Sequence, residues 1–220
     1  MASAITSDPD GGGATVPPPA IELREIDKRF GAVHANRAVD LVVPKGTIHG
    51  IVGENGAGKS TLMSILYGFY EADAGDIYIN GNRVRIRSSS QAIAAGIGMV
   101  HQHFMLVDTF TAIENVMLGS EGGLTLTKGA VHCRAELERL ASDYGLTTPL
   151  DTPVSDLTVG QQQRIEILKA LYRGAEILIL DEPTGVLTPQ ETDQLFDIFS
   201  ALREQGVTVI LITHKLREIL

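Results

Sequence analysis

Residues 53–61 read Gly-Glu-Asn-Gly-Ala-Gly-Lys-Ser-Thr. Gly53, Gly58, Lys59 and Ser60 satisfy the spacing G-x-x-x-x-G-K-[ST]. A glycine-rich loop of this kind lets successive backbone N–H groups turn inward around phosphate oxygens. Lys59 suits the β- and γ-phosphates of a nucleoside triphosphate, and Ser60 suits Mg2+. The flanks are those the motif needs. An apolar run over 47–52 precedes it as a strand. A helix follows, with Leu62, Ile65, Leu66 and Phe69 on one face. The positive end of that helix adds to anion binding. A chance match in a chain of this composition is on the order of one in a hundred.

Outward from this loop, strand and helix signals alternate. IELREI (21–26) and AVDLVV (38–43) read as strands, and 76–79 with 83–86 reads as a hairpin around Asn80-Gly81-Asn82. A short apolar strand is expected at 96–101, and the section from about 107 to 173 is helical. Continuous apolar runs at 176–181 and 207–212 suit strands covered on both faces. Thr188-Pro189-Gln190-Glu191 is a capping box opening a helix with Leu195, Ile198, Phe199 and Leu202 on its apolar face. The pattern predicts an α/β fold with a parallel core sheet. The 176–181 strand ends in Asp181-Glu182, and ligands in such sheets sit at the carboxyl ends of strands. Asp181 is placed to hold Mg2+ through water, and Glu182 to polarise a water attacking the γ-phosphate.

The remaining composition narrows the class. The chain has 220 residues, a net charge of −9 and one cysteine, Cys133. One cysteine excludes an internal disulfide and fits a reducing compartment. The negative charge argues against a general nucleic-acid or anionic-membrane binder. No stretch approaches 18 uncharged apolar residues, and the first residues lack the layout of a signal peptide. Residues 1–19, with Gly11-Gly12-Gly13 and Pro17-Pro18-Pro19, read as a disordered tail ahead of a domain spanning 20–220.

Taken together, these motifs resemble the nucleotide-binding domain of ABC transporters, over about residues 20–220. GENGAGKST matches that family's Walker A loop, and ILILDEPT its Walker B strand. The resemblance implies a P-loop ABC-type ATPase with a parallel core sheet, an antiparallel β subdomain and an α-helical subdomain at about 103–173. It implies ATP and Mg2+ as cofactors. The nucleotide would be held by Phe30, stacking adenine, and by Gly53, Glu54, Asn55, Gly56, Ala57, Gly58, Lys59, Ser60 and Thr61. Gln102 falls at the Q-loop, as γ-phosphate sensor and metal ligand beside Ser60 and Asp181. His214 falls at the switch histidine, contacting the γ-phosphate, beside Glu182 as catalytic base. LTVGQQQR, 157–164, falls at the signature, so Thr158, Gly160 and Gln161 would touch a nucleotide held by a second such domain.

More narrowly, MVHQHFMLV, VGQQQRIEILKALYRG and LILDEPTGVLTPQE resemble the ATPase subunits of simple-sugar and nucleoside importers. The implied partners are membrane permease subunits, a second nucleotide-binding domain fused in the same polypeptide, and indirectly a solute-binding protein. The implied location is the cytoplasmic face of the membrane, as a peripheral subunit. A soluble ABC ATPase uncoupled from transport is the alternative. Three further features concern the signature, the D-loop and the end of the chain. Val159 replaces a signature glycine and is expected to disfavour a positive φ there. Thr188 stands where the family's D-loop carries a carboxylate and is read as a cap. The chain ends six residues after His214, where family members continue with a helix and strands. Apolar Phe104, Met105 and Leu106, after Gln102, are expected at a permease-facing surface, the alternative being that they fill the core of the helical subdomain.

Overall fold

The computed structural model describes residues 17–118 and 126–214. Most of the tail read at 1–19 lies outside these residues. Two sheets organise the chain. The first is parallel and is built from β3 (Ile48–Val52), β6 (Ile97–Val100), β7 (Ile177–Asp181) and β8 (Thr208–Thr213), in the order β3-β8-β7-β6. The second is antiparallel and contains β1 (Ile21–Phe30), β2 (Val33–Val43), β4 (Ala74–Ile79) and β5 (Asn82–Val84), in the order β2-β1-β4-β5. The parallel core and the 80–82 hairpin turn follow the sequence reading.

Strands β1 and β2 run longer than the alternation suggested. Glu25 and Ala38 have φ of 51° and 45°, and the β1–β2 register shifts between Leu23 and Ile26. Each break is pinned by a carboxylate. Asp40 Oδ1 accepts the Glu25 N–H at 2.8 Å, and Asp27 Oδ2 accepts the Ala38 N–H at 3.1 Å. An inserted residue interrupts the two-residue period without ending the strand. The pairing therefore resumes and carries Phe30 to the far end, opposite Val33.

Helix α1 (Lys59–Leu66) follows the glycine loop, and α2 (Ser89–Ala94) precedes β6. The apolar face expected for α1 is corrected at one position. The helix ends at Leu66, Gly68 takes φ of 81°, and Phe69 lies beyond it, 46% exposed, against the His101 ring. The section read as helical contains α3 (Ala112–Met117), α4 (Leu126–Tyr144), a 3-10 turn at Val154–Asp156 and α5 (Val159–Tyr172). Residues 104–111 are not helical. Helix α6 (Pro189–Glu204) starts at the predicted capping box and buries Leu195, Ile198, Phe199 and Leu202. No helix among the described residues is long and apolar enough to cross a membrane.

The parallel sheet is a wall between two apolar cores. Leu178, Leu180, Val209 and Leu211 face α3–α6, whereas Ile177, Ile179, Ile210 and Ile212 face α1 and the antiparallel sheet. Helix α5 lies close on β6 because Gly98 has no side chain. A Cβ there would fall 2.8 Å from the Ala170 Cβ and 2.9 Å from the Ala175 Cβ. Gly98→Val is therefore expected to destabilise the fold by about 1–3 kcal/mol through overpacking. A urea denaturation curve with an unshifted midpoint would refute this close approach.

Candidate functional site

The carboxyl ends of β3, β6, β7 and β8 meet the far end of the β1–β2 pair at an open cleft of about 520 Å³. This is in the range of small-molecule sites. Its floor is the loop entering α1. Gly56 and Gly58 take φ of 85° and 83°, with Gly58 as the left-handed N-cap of α1. A Cβ on Gly58 would lie 2.2 Å from the Ala35 carbonyl oxygen of β2. Only glycine fits there, so the strand presses directly on the loop. Asn36 Nδ2 adds a hydrogen bond to the Gly58 carbonyl at 3.1 Å.

Lys59 Nζ donates to the carbonyls of Gly53 (2.6 Å) and Glu54 (2.8 Å). The ammonium is thereby folded over the loop and aimed where an anion in the cradle would sit. Ser60 Oγ lies 3.4 Å from Asp181 Oδ1, too long for a strong hydrogen bond. Burial pushes the Asp181 carboxyl above its ordinary value; the Ser60 contact opposes this and the Glu182 charge adds to it. A desolvated carboxylate beside a hydroxyl, with the Gln102 amide lining the same cleft, is an oxygen set that fits Mg2+.

Glu182 is the strained residue of the site. Its N–H still bonds the Ile212 carbonyl at 2.9 Å, continuing the β7–β8 ladder. Its φ is 52°, a region costly for a residue with a Cβ. The turn brings its carboxylate to His214 Nδ1 at 2.8 Å. A carboxylate accepts only, so this geometry assigns the Nδ1 proton to the imidazole. The Glu182 side chain is largely covered, and His214 is half-exposed.

Phe30, 42% exposed, stands edge-on to Tyr70 with ring centroids 5.0 Å apart. The cleft thus brings together Phe30, residues 55–61, Gln102, Asp181, Glu182 and His214. Gly53 and Glu54 contribute through their carbonyls to Lys59. Thr158, Gly160 and Gln161 are not part of this cleft. They form the first turn of α5, where Thr158 and Gln161 make a capping box. A Cβ on Gly160 would meet Glu191 Oε1 at 2.8 Å. Val159 is the first helical residue of α5 and is not among the residues with positive φ, in keeping with the expectation that it disfavours that region. Its side chain is therefore not strained there. Thr188 and Glu191 form the capping box expected of them. Residues 104–106 divide between the two expected readings. Phe104 and Leu106 pack against the helical core, and Met105 alone projects, 64% exposed.

Sequence reading missed His34, which lines the cleft. Its Nε2 meets Asp27 Oδ1 at 2.5 Å, and its Nδ1 accepts from Arg37 Nε at 3.0 Å. The bond to His34 holds the Asp27 carboxyl below the usual range. No local pattern marks His34, because only the Phe30–Val33 turn folds it over the loop.

The family model described as ABC transporter matches residues 36–185, more than half of the chain. The chain belongs to this family. A nucleoside import ATP-binding protein, NupA of Lactococcus lactis, is 50% identical over 199 residues, covering 90% of this chain and 39% of its own length. A ribose import ATP-binding protein of Burkholderia thailandensis is 47% identical over 205 residues, covering 90% and 40%. The chain thus spans about two fifths of these curated relatives. An ATP-binding cassette of an ABC transporter, crystallised in its ADP conformation, superposes with a TM-score of 0.80 at 24% identity, over 91% of this chain and 83% of that one. The fold is that of an ABC ATPase cassette: a P-loop α/β domain with a parallel and an antiparallel sheet.

Asp181 yields a test that needs no ligand. Its carboxyl titrates above its unfolded value, so ionisation opposes folding as pH rises through the folded-state value. Asp181→Asn should raise the unfolding temperature of the ligand-free protein at neutral pH. The gain should shrink in acid, where Asp181 is itself neutral. A variant that melts lower than the parent at neutral pH would contradict the burial assigned here.

Proposed function

We propose that this chain binds and hydrolyses ATP to power import of a small solute, a simple sugar or a nucleoside, through a separate membrane permease. The observation that carries the reading is the convergence, in one cleft, of the glycine cradle, Lys59, the Ser60–Asp181 oxygens, Gln102 and the Glu182–His214 pair. The names of the relatives supply the import role and the solute class. On this reading the chain works at the cytoplasmic face of the membrane as a peripheral subunit, with a solute-binding protein acting indirectly. Residues 20–220 form the ATPase domain, with a helical subdomain at about 103–173 and the tail of 1–19 outside it.

Each side chain then has a task. Phe30 offers a ring face to the base. Backbone N–H groups of Asn55–Thr61 and the helix dipole surround the phosphates, with Lys59 supplying the fixed charge. Ser60, Gln102 and Asp181 would hold Mg2+, which when bound neutralises charge on the β- and γ-phosphates. Glu182 accepts a proton from water as its oxygen bonds to the γ-phosphorus; the bond from that phosphorus to the bridging oxygen breaks, and ADP leaves. His214 keeps the Glu182 carboxylate aimed through its Nδ1–H. Thr158, Gly160 and Gln161 present a second helix N-terminus to the nucleotide of a second nucleotide-binding domain. Met105 is the apolar contact offered to the permease.

Lys59→Ala should weaken Mg-ATP binding by about 10- to 100-fold, the loss of a charge-assisted hydrogen bond to phosphate. Calorimetric titration reads this directly. In cells, uptake of labelled ribose and nucleosides should fail in the same variant, and retained uptake of both would refute the import reading.

Glu182→Gln should bind ATP normally and lose about 10²–10⁴-fold in turnover. Hydrolysis at the parent rate would remove Glu182 from the role of base.

A further inference from the structure

A second polar arrangement lies behind the cleft. Glu166, 3% exposed, accepts the Met105 N–H at 3.0 Å and Lys169 Nζ at 3.1 Å. The same ammonium donates to the Met105 carbonyl at 3.1 Å. Both backbone groups of one residue are therefore held by a single ion pair, whose side chains are 4% and 15% exposed. Two residues on, buried Asn115 treats Val107 likewise. Its Oδ1 accepts the Val107 N–H at 2.7 Å, and its Nδ2 donates to the Val107 carbonyl at 3.1 Å. Phe104 before Met105 and Leu106 after it pack inward, so the chain is fixed at four consecutive residues.

Removing two charges from water is unfavourable, and an apolar pair of similar size often stabilises a core as well or better. Packing alone does not call for an ion pair at this place. What the pair does uniquely is hold the backbone three residues after Gln102. It does so from α5, whose Gln163 also donates to the Pro183 carbonyl at 2.9 Å, one residue after Glu182. One helix thus grips the chain just beyond two residues of the cleft.

We propose that Glu166 and Lys169 are positioning residues that set Gln102 in the cleft by locking the segment after it to α5. The inference rests on the ATPase reading above. Without the pair, Gln102 is displaced from the reacting phosphate. Nucleotide affinity, carried by residues 53–61, stays.

The test is the double substitution Glu166→Leu with Lys169→Met, which leaves no charge buried alone. The melting temperature should fall by no more than about 2–4 °C, because the Met105 backbone groups can turn to water beside its exposed side chain, and ATP affinity should stay within about twofold. Single-turnover hydrolysis should fall by about 10- to 100-fold, the scale of a small misplacement at the reacting centre. Hydrogen exchange at the Met105 amide should accelerate. Lys169→Arg, which keeps the cation, should hydrolyse at close to the parent rate. Met105→Pro removes the N–H from the other side of the contact and should slow hydrolysis in the same sense, even if the double variant fails to fold.

Parent-rate hydrolysis in the double variant, with the Met105 amide released, would overturn the proposal. So would a joint fall of stability, affinity and rate in that variant, or parent kinetics in Met105→Pro. A parent chain that neither binds nor cleaves ATP would refute the ATPase reading instead, while exchange at Met105 would still report on the contact.

Discussion

The register of β7 against β8 is the constraint on which the cleft depends. Asp181 pairs with Ile212, and the next N–H, that of Glu182, still bonds the Ile212 carbonyl. The ladder therefore reaches one residue beyond the strand proper. Glu182 cannot continue the strand and still face the cleft, so it turns with φ of 52°. That turn separates the tasks of two adjacent carboxylates. Asp181 stays desolvated beside Ser60, while Glu182 swings to His214 at the end of the neighbouring strand. A one-residue slip would exchange the two faces of β7 and undo both placements.

Much of this was legible in the sequence, because strong local signals carried it. The glycine loop between strand and helix, the apolar run ending in two carboxylates and the Thr188 capping box each rest on short-range chemistry. The less legible parts involve long-range polar contacts. Glu166, Lys169, Gln162 and Gln163 look like the solvated face of an amphipathic helix. In the fold they turn inward, because three loops bring bare backbone groups to α5. Gln162 takes the carbonyls of Val154 and Leu157, Gln163 that of Pro183, and Glu166 with Lys169 both groups of Met105. Buried loops need such partners, but nothing within α5 announces which loops will arrive.

Two apolar stretches also differ from the sequence reading. Phe69 continued the apolar spacing of α1, yet Gly68 ends the helix and turns the ring toward His101. Phe104, Met105 and Leu106 form an apolar triplet whose inward and outward members are decided by the Met105 contacts. A local glycine decides the first and long-range contacts to Met105 the second.

The wall between the two cores has a mechanical consequence. On the side of α1 and the phosphate loop it presents Ile177, Ile179, Ile210 and Ile212, joined there by Ile21, Ile26, Ile65, Ile77, Ile79 and Ile97. β-Branched side chains have few χ1 rotamers open to them. The nucleotide side of the domain thus rests on interlocking groups that resist deformation. The opposite face offers Leu178, Leu180, Val209 and Leu211 to helices that carry Leu137, Leu140, Leu168, Leu171, Leu195 and Leu202 together with Ile113, Ile165, Ile167 and Ile198. There leucines, which rotate about a less hindered bond, mix with β-branched groups, so this packing is less uniformly stiff than that of the isoleucine side. The same sheet is a stiff anvil under the phosphate loop on one side and a more yielding, mixed packing for the helices on the other.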